Sequence, residues 1–235
     1  MSSAIVCKDL VVQRGTNVIL KELSLTIESG QILGLLGPSG SGKTTLMRSI
    51  AGLQKIKSGE ISVLGMKPGV AVLREKIAYS TQSASVYSDL TCEENLKYFA
   101  SLFSRNEKTV DEILEEVDLN VVRNQVASSL SGGELSRLAL ATTLVGSPEI
   151  LILDEPTVGL DPVLRIQLWE LFNKLAAQGK TMLVSSHVMA EAEYCHGLAL
   201  MRGGQILAHG TSAQLRAQTG KEKMEDVFVS LVKGP

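Results

Sequence analysis

Cysteine is scarce: Cys7, Cys92 and Cys195 are the three in 235 residues, odd in number and far apart. That argues against a disulfide framework or a zinc site and fits free thiols in a reducing compartment. An excess of one charge is also missing. With 23 basic and 25 acidic side chains the net charge is −2, so no global positive field holds nucleic acid by counterion release, and no nucleic-acid partner is expected. No apolar stretch approaches the ~18–20 residues that cross a bilayer as a helix. The start, MSSAIVCKDLVV, lacks a basic segment leading into a long apolar one, so no signal peptide is read. Work at a membrane would need another chain to do the spanning. Internal repeats and low-complexity linkers are missing as well.

What is present is 44% apolar content, ample for a packed core. The first ~30 residues alternate in polarity, as in AIVCKDLVVQRG and VILKELSLTIESG, which reads as antiparallel strands with turns at Gly15 and Gly30. QILGLLG is a short apolar strand of the kind buried on both faces, KTTLMRSIAGL continues as a helix, and GEISVLG is another strand. Beyond Gln82 the spacing turns helical, with Thr91 and Glu94 forming a capping box, until EILILDEP. Strands resume in ILILD, TMLVSSH and LALMRGGQILAHG, with a helix over PVLRIQLWELFNKLAAQG. The expected layout is one domain over residues 1–235: an α/β core from 1–85 and 147–220, a helical subdomain at 86–146, and a polar tail at 221–235. Met224, Val227, Phe228 and Leu231 have helical spacing in that tail, either as a docking helix or folded back on the core.

Residues Gly37 to Thr44, GPSGSGKT, match a phosphate-binding loop without a gap, after a strand and opening a helix. The loop Gly37, Pro38, Ser39, Gly40, Ser41 and Gly42 can turn its backbone N–H groups, which only Pro38 lacks, toward a phosphate. Lys43 reaches the β and γ oxygens, the Thr44 hydroxyl ligates Mg2+, and Thr45 follows in the first helical turn. Asp154 ends a buried apolar strand, where a carboxylate is costly unless it faces a cation such as that Mg2+. Glu155, next in the chain, suits a base that positions a water opposite the γ-phosphate. A strand-end acidic pair can also simply serve a turn. His187 follows the strand TMLVSS at the carboxyl end of a sheet, where α/β proteins collect ligand sites, although a lone histidine is often only packed or solvated. A second glycine-rich helix start, LSGGE at 130–134, admits two readings: an anion site, or an ordinary capping box of Ser131 with Glu134.

Taken in order, GPSGSGKTT, Gln82, LSGGE, LILDEPTVGLD and SSH resemble the motif set of the ATP-binding cassette (ABC) transporter ATPases, over nearly the whole chain. The resemblance implies an α/β, RecA-like P-loop NTPase core with an N-terminal antiparallel β subdomain and an inserted helical subdomain. It implies ATP and Mg2+ as ligands, with Gln82 touching the metal and sensing a membrane partner, and His187 contacting the γ-phosphate. By the same resemblance Ser131, Gly132, Gly133 and Glu134 close over the ATP of a second copy or a related chain, and Asp161 lies in the loop crossing that interface. The expected setting is peripheral, on the cytoplasmic face of a membrane, with a multi-pass permease subunit as partner.

Two positions depart from the family pattern. Glu134 stands where glutamine is common, adding negative charge near a triphosphate. Arg14 stands where an aromatic residue stacks on adenine; a guanidinium plane can also stack, which leaves the choice of ATP over GTP open. YSDLTCEENLKYFASLF and MEDVFVSLVKG resemble exporter ATPases for drugs, antibiotics or polysaccharides, with Val86, Tyr87, Leu90 and Tyr98 either meeting the membrane subunit or packing the subdomain's own core. The alternative is a soluble relative acting on nucleic acid or ribosomes. Such relatives carry a long coiled-coil insertion or two cassettes, neither of which is seen in 235 residues. A phosphotransferase would leave LSGGE unexplained.

Overall fold

A computed structural model describes residues 2–81, 85–103 and 108–233. The alternating N-terminal segment forms β1 (Ser3–Arg14) and β2 (Asn17–Glu28), joined by a tight turn in which Gly15 takes a positive φ of 57°. The apolar run follows as β3 (Ile32–Leu36), buried at every position, and leads through the glycine loop to α1 (Lys43–Ile50). Next come β4 (Ser58–Val63), the single turn α2 (Leu73–Lys76) and β5 (Ile77–Ser80). Three helices stand before the next strand: α3 (Cys92–Ala100), α4 (Val110–Glu116) and α5 (Gly132–Leu144). Then β6 (Ile150–Asp154), α6 (Pro162–Ala177) and β7 (Thr181–Ser186) alternate, and a 3-10 segment, Met189–Tyr194, precedes β8 (Gly197–Arg202) and β9 (Gln205–Gly210). Helices α7 (Ser212–Thr219) and α8 (Met224–Lys233) finish the described chain.

Two sheets result. An antiparallel one has the order β2-β1-β4; the other has the order β5-β6-β7-β3-β8-β9, parallel except for the β8–β9 hairpin. Because side chains alternate across a strand, β6 feeds two cores. Ile150 and Ile152 face the side holding α1 and the antiparallel sheet, with Leu46, Met47, Ile5 and Leu20. Leu151 and Leu153 face α6 and the helical segment, with Trp169, Phe172, Leu96 and Leu138. Burying a side chain of the size of Phe172 stabilises by about 1.5–3 kcal/mol relative to leaving it exposed, so the sheet is clamped from both faces.

The C-terminal helix closes a question the spacing left open. Met224 and Val227 are buried, and Phe228 and Leu231 pack with them against Leu198, Leu200 and Leu215, so α8 folds back onto its own chain. Among the described residues no helix is long and apolar enough to cross a membrane.

Candidate functional site

Four parallel strands, β5, β6, β7 and β3, lie side by side and end on the same edge of the sheet. Segments distant in sequence therefore meet there: the glycine loop after β3, Asp154 and Glu155 after β6, and His187 after β7.

The loop is shaped by contacts that only glycine allows. A Cβ at Gly37 would sit 2.1 Å from the carbonyl oxygen of Met201, and Gly40 and Gly42 hold φ of 78° and 106°. Gly37 N–H donates to Ser186 O, which pins the loop to the end of β7. Helices α3, α4, α5, α6 and α7 are each capped by a side chain at the N-terminus, whereas α1, with Gly42 as its N-cap, has no side-chain cap, and neither has the single turn α2. The first amides of α1 are left for a ligand, and the helix dipole favours an anion there. Pro38, Ser39, Gly40 and Thr44 are exposed, while Ser41 and Thr45 are buried, and Ser41 Oγ has no hydrogen-bond partner.

Lys43 is buried in the loop and donates to the carbonyls of Gly37, at 2.8 Å, and Pro38, at 3.3 Å. Its Nζ also lies 3.5 Å from Glu155 Oε1. The other oxygen of Glu155 is 3.2 Å from His187 Nδ1, a contact that requires a proton on Nδ1 while the carboxylate is ionised. Glu155 thus links a cation from α1 to an imidazole from beyond β7. Its backbone is unusual, with φ of 52° in the left-handed region that a non-glycine residue adopts at a cost of order 1–3 kcal/mol. The conformation is held by Ser185, whose hydroxyl accepts from Glu155 N–H at 2.9 Å and donates to Asp154 Oδ1 at 2.6 Å. Asp154 is buried, and its second oxygen accepts from the Tyr79 hydroxyl at 3.4 Å. Burial, and after it the Asp154 charge, pushes the Tyr79 phenol up to about 12, so it stays a donor at neutral pH. Sequence reading passed over Ser185 and Tyr79, because their role follows from β5 and β7 flanking β6, a neighbourhood with no local signature.

The remaining sequence candidates lie elsewhere. Ser131 caps α5 and forms a full capping box with Glu134: Ser131 N–H and Oγ donate to Glu134 Oε2 at 2.8 and 2.7 Å, and Glu134 N–H donates to Ser131 Oγ at 3.3 Å. These bonds hold the Glu134 carboxyl below its ordinary range. Ser131 and Gly132 are exposed, and Gly133 is buried against Leu164. Among the described residues no hydrogen bond or ion pair joins 131–134 to the phosphate loop. Asp161 is the exposed N-cap of α6, accepting from Val163 N–H and Leu164 N–H. Arg14 donates to Gln54, beyond the far end of α1 from Lys43. Gln82 lies outside the described residues. Tyr87 and Tyr98 are exposed and meet edge to face, and Val86 packs against the core. A concavity of about 1030 Å3 between β4 and the turn after α1 holds none of the sequence candidates. A phosphate loop is an open cradle rather than a cavity.

A family model described as ABC transporter matches residues 20–158. The chain is 35% identical to the probable multidrug ABC transporter ATP-binding protein YbhF of Escherichia coli, over 98% of this chain and 42% of that protein. It is 40% identical to the Nod factor export ATP-binding protein I of Neorhizobium galegae, over 84% of this chain and 59% of that one. The chain therefore spans about half the length of these relatives. Among solved structures, an ATP-binding subunit of an ABC transporter superposes with a TM-score of 0.85 at 27% identity, covering 97% of this chain and 99% of the other. A dimeric cassette in a post-hydrolysis state bound to ADP and Pi superposes with a TM-score of 0.77 at 26% identity, covering 88% and 98%.

Proposed function

The chain belongs to the ABC transporter family, and from that premise we propose that it is an ATP-hydrolysing cassette that powers an exporter. In this reading it pairs with a second cassette and with separate multi-pass membrane subunits, as a peripheral protein on the cytoplasmic face. The observation that carries it is the convergence of Lys43 and His187 on the two oxygens of Glu155, at 3.5 and 3.2 Å, beside an uncapped helix start. The export names of the relatives at 35% and 40% identity support the direction of transport. Residues 1–85 and 147–220 act as the nucleotide-binding core, 86–146 as the helical subdomain, and 221–235 as the tail.

The chain's own residues supply positioning and charge. Amides from Ser39 to Thr45 cradle the phosphates, and Lys43 exchanges its bonds to Gly37 O and Pro38 O for β and γ oxygens. Glu155, released from Lys43, accepts a proton from the attacking water, and His187 holds the γ-phosphate side of the site. Mg2+ fits the donor set. Thr44 is exposed in the first turn of α1, and the Asp154 carboxylate faces the same edge, oriented by Ser185 and Tyr79. With a nucleotide, one or two carboxylates and the phosphates suffice for this ion, which when bound neutralises charge between the β- and γ-phosphates. Gln82 belongs with this metal site by its motif. Ser131, Gly132, Gly133 and Glu134 serve the nucleotide of the second copy, and Asp161 lies between the copies. Arg14 reaches a base only by leaving Gln54.

The test replaces Glu155 with Gln. Hydrolysis is expected to fall at least ~100-fold, the lower end of what a general base supplies, with nucleotide affinity retained, and the tagged variant, solubilised from native membranes with ATP, is expected to bring down a multi-pass protein in stoichiometric amount. Wild-type turnover in the variant would remove Glu155 from catalysis. Recovery of ribosomal proteins or nucleic acid instead would move the cassette away from transport.

A further inference from the structure

Glu191 is 1% exposed, and neither of its carboxylate oxygens accepts a hydrogen bond. A buried carboxylate without compensation costs several kcal/mol, and the cation facing it is Arg165, whose Nε lies 3.6 Å from Oε1. The other end of that guanidinium is engaged too: Nη2 donates to the carbonyl of Leu160 at 3.2 Å. Leu160 precedes Asp161 in the loop read above as the interface loop. Glu191 sits in the segment Met189–Tyr194, which begins two residues after His187. One side chain therefore bridges the loop and the arm that carries the histidine.

The bridge is part of a wider seam. Arg165, Trp169 and Asn173 recur at the spacing of one helical face. Trp169 stacks on Tyr194 with centroids 5.4 Å apart and planes 13° from parallel, and Asn173 Nδ2 donates to Tyr194 O at 3.4 Å. Helix α6 also reaches α5 and its glycine-rich start. Leu164 packs against Gly133, and Gln167 accepts from Arg137 at 3.0 Å.

We propose that Arg165 is a positioning residue that, through the buried Glu191, locks the loop 158–161 and the His187 arm into one unit, so that a second copy pressing on the loop holds the imidazole in place against Glu155, 3.2 Å from which it already lies. The proposal rests on the ATPase reading above. A planar fork suits the task because it serves a carbonyl and a carboxylate at once.

Three forms of the full chain test this: wild type, Arg165→Ala, and Arg165→Ala with Glu191→Gln. Each is measured for ATP hydrolysis, its Hill coefficient in ATP, ADP affinity and Tm. In Arg165→Ala, kcat is expected to drop about tenfold, with the Hill coefficient falling toward that of an uncoupled site and ADP affinity within about twofold of wild type. The double variant removes the stranded charge, so Tm is expected to recover while kcat stays low. Recovery of kcat together with Tm, or an unchanged kcat in Arg165→Ala, overturns the proposal and leaves the ATPase reading standing. Only a wild type that hydrolyses no ATP removes both.

Discussion

Replacing Ser185 with alanine removes one hydroxyl that is 0% exposed and makes two bonds at once. The Glu155 amide loses its acceptor, and the Asp154 carboxylate loses a donor at 2.6 Å. A bond to a charged group contributes about 1.5–3 kcal/mol, and a buried donor left unmet costs about 1–3 kcal/mol. Part of this is offset when the Glu155 backbone relaxes out of its left-handed conformation. A net loss of about 3 kcal/mol corresponds to a Tm lowered by about 6–12 °C for a chain of this size. The relaxation moves the Glu155 carboxylate away from Lys43 and His187, and a displacement near 1 Å reduces turnover by about 100-fold. The glycine loop keeps its own bonds, so nucleotide affinity is expected to hold. Thermal unfolding, steady-state ATP hydrolysis and ADP titration read the three quantities separately. A Tm within about 1 °C of wild type with unaltered kcat would refute the reasoning that this hydroxyl holds the strained glutamate in place.

Gly37→Ala places a Cβ 2.1 Å from the backbone oxygen of Met201, which has no rotamer with which to yield. A stability loss of about 1–3 kcal/mol and a collapse of nucleotide binding are expected, and native affinity in the variant would contradict the tight fit. Glu134 has its pKa lowered from 4.5 by the Ser131 hydroxyl and amide, so its contribution is present above the ordinary carboxylate range and fades as pH falls through the lowered value. Wild type is therefore expected to unfold above Glu134→Gln at pH 7, with the gap in Tm closing as pH falls below the ordinary carboxylate range, while the same substitution tightens the ATP-dependent dimer in a titration. A gap that widens in acid, or an unchanged dimer, goes against the respective half of this expectation. Val227→Asp introduces a charge where the side chain is 0% exposed, and about 3–5 kcal/mol of destabilisation with new proteolytic cleavage after α7 is the expected result. Resistance to cleavage would mean that α8 is held by other contacts.

Which parts were legible depended on how far apart in sequence the partners lie. The capping boxes Thr91 with Glu94 and Ser131 with Glu134 need three residues, and their geometry is as the spacing implies. The phosphate loop needs eight, and its glycines show why: a carbonyl crowds Gly37, and positive φ is required at Gly40 and Gly42. His187 is marked only by its place after a strand, where a histidine has many uses, and by the motif resemblance. Its place beside Glu155 comes from β6 and β7 being parallel neighbours, with Asp154 opposite Ser185. For the same reason Ser185 and Tyr79 escaped notice, each being an ordinary strand residue until the sheet order puts it against Asp154.

The sequence by itself determined what short-range chemistry can encode: a phosphate cradle, capped helix starts, strands buried on both faces, and acidic residues at a strand end. Tertiary structure decided which of these meet. It turned α8 inward, engaged Arg14 with Gln54, and joined Arg165 to Glu191, because each contact depends on how separate segments pack. Periodicity names the face a residue occupies, and only packing supplies what that face touches.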